Sequence, residues 1–431
     1  MTTSTPSARP TTSNNQQSVG RKTFALLLVL ALLNTMGITL IFPIVPFLTL
    51  KYLAHSNNLA AIVGWLAAVY SICQLIAAPG LGVLSDRFGR RPILFVCILG
   101  SALGYLIFGL GGALWLLFLG RIIDGLTGGN ISVLFGYVAD ITEPKDRGRY
   151  FGMLGSAAGV GSIIGAAVGG LLAIISYSAP FIAAAGLLLL TLVWGYFFLP
   201  ESLSKEHRIP SMSMSDLNPL KQLKSAFRWA NLRWLLLAWF FYALPGSMLQ
   251  ATITIFMKDS LGFTATQAGL VITLLGAVDF LVQSVLVGWL LTLLGNIKLG
   301  LIALGLVGLS YLLFGSIAFI ATPILLIVGI ILYAGSGSLV ENALRGLISE
   351  MVGRHEQGRA SGATQALQSF GWIVGPLVGG FVYTEWGHFQ VYALACFIIA
   401  LAMMCVWIAI PLVERQKANE QAPGEYGERD E

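Results

Sequence analysis

The chain has 431 residues, of which 56% are hydrophobic and only 10% charged, with a mean hydropathy of +0.80. Soluble domains carry about 25% charged residues, so this composition excludes an ordinary soluble fold. A net charge of +5 would suggest nucleic acid in a soluble protein. Here the basic residues crowd the connections between apolar stretches, which points to a membrane surface instead.

A bilayer crossing takes about 20 mostly apolar residues. Polar residues 1–22 read as a disordered cytoplasmic tail. Gly20–Leu33 has the charge pattern of a signal sequence, but the apolar run continues through Ile38–Leu50 without a small-residue cleavage site, so it reads as a retained first helix. Five further spans complete a first bundle over 23–199, at 60–82, 92–112, 114–141, 149–174 and 177–199. A polar linker, 200–231, follows. Within it Leu217, Leu220, Leu223 and Phe227 stand at helical spacing after Asn218 and Pro219, with Lys221, Lys224 and Arg228 on another face. That pattern predicts a short amphipathic helix on the membrane surface or a solvated linker helix. A second bundle over 232–412 holds spans at 232–257, 266–292, 297–319, 321–349, 359–384 and 387–412, and 413–431 forms a second tail.

The expected fold is an all-α membrane protein of twelve transmembrane helices in two six-helix bundles. With both termini placed in the cytoplasm, only Lys51 and Lys258 among 25 lysines and arginines fall in external loops. This is the positive-inside bias of a multi-pass protein in the inner (plasma) membrane. Cys73, Cys97, Cys396 and Cys405 all lie in apolar spans without metal-ligand spacing and read as small packing residues. No cofactor, metal or nucleic acid is expected, and nothing demands more than a monomer in the bilayer.

The two halves are related in sequence. Arg149, Gly152, Gly161, Gly165, Gly169 and Gly170 recur 210 residues later as Arg359, Gly362, Gly371, Gly375, Gly379 and Gly380. Gly148 matches Gly358 and Asp140 matches Glu350 in the same register. A parallel repeat of six-helix halves resembles the arrangement of major facilitator transporters, which bind substrate near the midplane between halves.

Several charged groups lie where charge is costly. The connection after the second span reads Gly82-Val-Leu-Ser-Asp86-Arg87-Phe-Gly89-Arg90-Arg91-Pro92, a tight turn with three arginines at the headgroup level. In the fourth span, Arg121 precedes Asp124 by three residues. An arginine at a span centre costs about 3 kcal/mol on insertion scales, so a partner is expected. Two readings stand, a structural ion pair or a proton-coupling pair. Asp279 has no local basic residue, only Gln283 one turn on, whereas Glu341 has Arg345 one turn on and Asn342 beside it. Burial penalises the charged form of a carboxylate, which makes such groups candidates for carrying a proton or binding a cation. Glycines at 161, 165 and 169 recur every fourth residue, the spacing of close helix packing.

These runs carry a family resemblance. Gly82–Arg91 is similar to the signature loop of the major facilitator superfamily, G-x-L-x-D-R-x-G-R-R. Arg121–Gly128 resembles that family's R-x-x-x-G-x-x-x-G helix, associated with proton coupling. Gly161–Gly170 resembles its antiporter motif, with Ala166 in place of proline; the second-half copy keeps Pro376. Across residues 24–412 the chain resembles tetracycline-resistance efflux proteins, in Leu33–Ile38, the signature loop, Leu119–Arg121 and His355–Gly358. The resemblance implies export of small amphipathic, drug-like molecules by proton antiport, with a sugar or metabolite carrier as the alternative. It assigns Asp86, Arg87, Arg90, Arg91 and Asp140 to a gate and Arg121 to proton coupling, where Asp124, Asp279 and Glu341 join it as acids inside apolar spans. Asn34, Gln250, Gln283 and Trp372 are the expected substrate contacts. The aromatic run Trp239–Tyr242 suits a large substrate or the lipid face. The family's aspartates in spans 1, 3 and 9 are replaced by Asn34, Gly104 and the glycine-rich stretch around Gly305, which argues against tetracycline–metal exchange by their chemistry. No metal cluster, nucleophile elbow or phosphate loop points to an enzyme, and a non-transporting receptor would bind without flux.

Overall fold

The computed structural model describes residues 13–143, 146–203, 232–352 and 356–421. The expected amphipathic linker helix lies outside the described residues. α1 (Ser13–Ile41) and α2 (Val45–Leu50) form the first span, joined by a one-turn 3-10 segment at Phe42–Ile44. Pro43 and Pro46 impose that break, because neither offers an amide N–H to a continuous helix. The helix starts at Ser13, inside the expected tail. The next two spans are α3 (Leu59–Phe88) and α4 (Arg90–Leu110). The fourth is split into α5 (Leu114–Leu126) and α6 (Asn130–Ile141). α7 (Arg147–Leu172) and α8 (Ala179–Phe198) close the first half.

The second half opens with α9 (Arg233–Leu261). A 52-residue apolar helical stretch follows, Ala265–Ser316, made of α10 (Ala265–Leu281), a π-helical turn at Val282–Leu286, and α11 (Val287–Ser316). A helix of that length would be nearly 80 Å long at 1.5 Å per residue, more than twice a hydrocarbon core. It turns at Gly295, whose φ of 70° and ψ of 168° are non-helical. Divided there, the eleven membrane-capable helical stretches among the described residues become twelve crossings. α12 (Pro323–Glu350), α13 (Gln357–Trp386) and α14 (His388–Gln421) complete the bundle.

Large apolar side chains such as Leu110, Ile174, Phe197, Phe319 and Trp407 stand exposed around the outside. In water they would drive aggregation; in a bilayer they face lipid. Helices cannot gain by hiding such groups from equally apolar lipid, so association rests on close packing through small residues. The two halves meet through α3 against α13 and α7 against α10. At these seams Gly64 abuts Pro376 and Gly380, and Gly170 abuts Gly269 and Thr266. The Ala61 amide also donates to the Thr384 hydroxyl at 3.2 Å. All of these lie toward the face opposite the chain ends, here the far face. Toward the face carrying the chain ends, the terminal face, a Cβ added at Gly148, Gly152 or Gly155 of α7 would meet nothing within 4 Å. The halves are closed together at the far face and part toward the terminal face.

Candidate functional site

Three polar constellations stand out. The first is the turn between α3 and α4. Gly89 permits it with φ 109°, a conformation that side chains resist. Arg90 is its hub. Its guanidinium bonds Asp86 at 2.6 Å, Asp140 at 3.0 Å and the Ser85 hydroxyl at 2.6 Å. Arg87, expected to share the pairing, is exposed with its guanidinium over the Phe88 ring at 5.3 Å. The turn explains the difference: Gly89 reverses the chain so that the Arg90 side chain folds back onto Asp86, while Arg87 is left exposed outside that corner. Glu201 was not expected here. Its two carboxylate oxygens accept the amides of Arg90 (2.8 Å) and Arg91 (3.2 Å), capping the start of α4 from the end of the sixth span. Ser202 donates to Asp140 at 3.0 Å. The network thus ties spans 2, 3, 4 and 6 at one corner.

The second half repeats this corner with other chemistry. Gly295 makes the corresponding turn, and the Asn296 amide donates to Glu350 at 2.6 Å across Gly346. Arg90 reaches Asp140 across Gly136 in the same way. The Gly288–Lys298 connection lacks the Asp-Arg and Arg-Arg pairs of Gly82–Arg91, so the geometry is kept where the letters are lost.

The second constellation is the Arg121–Asp124 pair in α5. The Arg121 guanidinium lies 3.7 Å from the Asp124 carboxylate, between the rings of Tyr70 (5.7 Å) and Phe108 (5.2 Å). Asp124 is only 3% exposed. Its Cβ would lie 2.9 Å from a Cβ added at Gly104, so this carboxylate fills the space beside the position where the resemblance leads one to expect an acid. One turn later the span breaks at Thr127–Gly129, and the Gln74 side-chain amide donates to the freed Gly128 carbonyl at 2.9 Å. A broken helix inside a membrane needs such substitute partners. Asn34 is not open to a substrate in this conformation: it is 3% exposed and accepts from Asn130 at 2.6 Å.

The third constellation joins α10 and α12. Asp279 is exposed and accepts a hydrogen bond from the Ser338 hydroxyl. Asn342 donates to Gln283 at 2.9 Å, within the π-helical turn, a distortion that recurs at functional sites. Glu341 pairs with Arg345 at 2.5 Å, and the Arg345 guanidinium covers the Trp239 ring at 5.2 Å. Two members of the aromatic run, Trp239 and Tyr242, therefore face the protein and not lipid. Trp239 is 1% exposed, and Tyr242 donates to the Gly337 carbonyl at 3.0 Å. The cluster lies one turn from the seam where Gly276 meets Ile163 and Gly159 meets Phe280. Gln250 and Trp372 are exposed and take no part in these hydrogen bonds.

The family model for the Major Facilitator Superfamily matches residues 27–375 and 235–428. The chain belongs to the major facilitator superfamily. Relatives in that superfamily include the class C tetracycline resistance protein of Escherichia coli, 36% identical over 81% of this chain and 87% of that protein. The class B protein of the same organism is 30% identical over 92% and 98%. Multidrug resistance protein 2 of Bacillus subtilis is 30% identical over 95% and 98%. Among solved structures, the human organic anion transporter MFSD10 superposes with a TM-score of 0.67 at 23% identity, over 90% of this chain and 99% of that one. A D-xylose–proton symporter gives 0.73 at 18% identity, over 91% and 98%. These structures show the same two-bundle fold; the family model and the relatives make the chain a transporter and not an enzyme.

Proposed function

We propose that this chain exports small amphipathic, drug-like molecules across the plasma membrane in exchange for protons. The observation that carries the export reading is its 30–36% identity to tetracycline and multidrug resistance proteins over more than 80% of its length. The sugar-carrier alternative has behind it only a likeness of fold, at 18% identity. The positive-inside bias puts the terminal face in the cytoplasm, so the described conformation opens inward. Substrate enters between the halves from that side, and rocking about the α3–α13 and α7–α10 seams exposes it outward.

The three constellations take separate roles in this reading. Asp279, with the Ser338 hydroxyl as its partner and no cation on it among the described residues, exchanges the proton beside the between-half seam. Glu341 and Arg345, with Gln283 and Asn342, adjust the charge next to it as substrate arrives. Arg121 holds Asp124 charged in one conformation and frees it to protonate in the other. The Arg90 corner keeps spans 2, 3, 4 and 6 moving as one body. The test is accumulation of dyes and antibiotics in an efflux-deficient bacterium expressing the chain. Lower accumulation that a protonophore and Arg121→Ala both abolish supports the proposal. Unchanged accumulation with normal expression would overturn it.

A further inference from the structure

The α4–α8 face carries a groove of about 500 Å³ lined only by apolar and aromatic side chains, among them Phe95, Leu99, Val193 and Tyr196. It lies on the outside of the first half, away from the space between the halves. Its lining begins one turn into α4, at the terminal-face end, and continues to Leu99. Eight residues of helix from Arg91 to Leu99 span about 12 Å, close to the ~15 Å of hydrocarbon in one leaflet.

At the mouth of the groove stands Arg91. Its guanidinium is stacked on two of the lining rings, 5.3 Å from Phe95 and 5.4 Å from Tyr196, and bonds the Tyr196 carbonyl. Its Nε is buried without a hydrogen-bond partner. The neighbouring Arg90 is neutralised by Asp86 and Asp140, whereas among the described residues no carboxylate reaches the Arg91 guanidinium. Glu201 meets only its backbone amide. A cation fixed at headgroup height over an apolar channel one leaflet deep matches one kind of molecule in charge and in length.

We infer that the α4–α8 groove with Arg91 is a binding site for an anionic phospholipid of the terminal-face leaflet, its phosphate on the guanidinium and one acyl chain along Phe95, Leu99 and Val193. Arginine suits this role, because its planar fork both stacks on rings and donates in pairs to phosphate. Bound there, the lipid clamps α4 to α8 next to the Glu201 cap, and so bears on the corner that Arg90 organises.

The test uses the full chain purified into mixed micelles with equal phosphatidylglycerol and phosphatidylcholine, with retained lipid counted by native mass spectrometry. The wild type is expected to retain phosphatidylglycerol about five-fold over phosphatidylcholine, the scale of one basic residue at an anionic surface. Arg91→Gln is expected to bring that ratio to near unity. Val193→Trp, which fills the groove and leaves Arg91 in place, is expected to lower retention of both lipids. Equal retention by the wild type, or an Arg91→Gln variant that keeps the wild-type preference, would overturn the inference. So would displacement of phosphatidylglycerol by equimolar glycerol 1-phosphate, since the site would then hold an anion without a chain.

Discussion

At Gly64 the closed far face has no spare room. A Cβ added there falls within 3.0 Å of the Pro376 carbonyl oxygen and 3.5 Å from the Gly380 Cα, where carbon contacts normally rest near 3.5–4.0 Å. The opposing atoms are backbone, so no side chain can swing aside, and Gly64→Ala must push α3 from α13. Overpacking of this kind costs about 1–3 kcal/mol. That cost falls only on the conformation in which the seam is closed, and it therefore shifts the population toward the far-face-open state by about 5- to 150-fold. The assay is labelling of Ala61→Cys by a membrane-impermeant maleimide, in a background lacking the four native cysteines. Labelling from the far side should accelerate and turnover should fall. Gly80→Ala on the same helix meets nothing within 4 Å and should leave both unchanged. Wild-type labelling and turnover in Gly64→Ala would refute the assignment of this seam as the far-face gate.

Other expectations follow from the pairs. Arg121→Ala leaves Asp124 buried without its cation and with only the Ser101 hydroxyl on it, which should lower stability by up to about 3 kcal/mol, while Arg121→Ala/Asp124→Asn should recover most of it; thermal melts of the single and double variants measure the coupling. Arg90→Gln should lower transport far more than Arg87→Gln, because only Arg90 holds Asp86 and Asp140; dye efflux from cells with matched expression checks the order. Asp279→Asn keeps a group that Ser338 can bond but cannot exchange a proton. It should bind dye as before and show efflux that no longer responds to the proton gradient, measured in proteoliposomes with and without an imposed pH difference.

Sequence reasoning reached whatever depends on local spacing. Apolar runs of bilayer length marked the spans, and the i,i+3 and i,i+4 rules paired Arg121 with Asp124 and Glu341 with Arg345. The resemblance placed Asp86, Arg87, Arg90, Arg91 and Asp140 at one gate, but which arginine takes the two acids depends on the path of the turn and not on spacing. Partners set by helix packing were out of reach. Glu201 lies 111 residues from Arg90, Asn130 lies 96 from Asn34, and Ser338 lies 59 from Asp279. Nothing in one strand of text says which helix faces will meet. The break at Thr127–Gly129 left a trace in the Gly125, Gly128 and Gly129 run, yet glycine is so common in membrane helices that the trace does not stand out. Ser338 left none.

The two repeated corners hold the same shape by different means. In the first half a full cation sits between two carboxylates, an arrangement that added salt and nearby lipid charge can weaken. In the second, the Asn296 amide reaches the Glu350 carboxylate at the matching place. The repeat thus preserves where the helices are fastened and not what fastens them, so the donor at each corner can change without moving the turn.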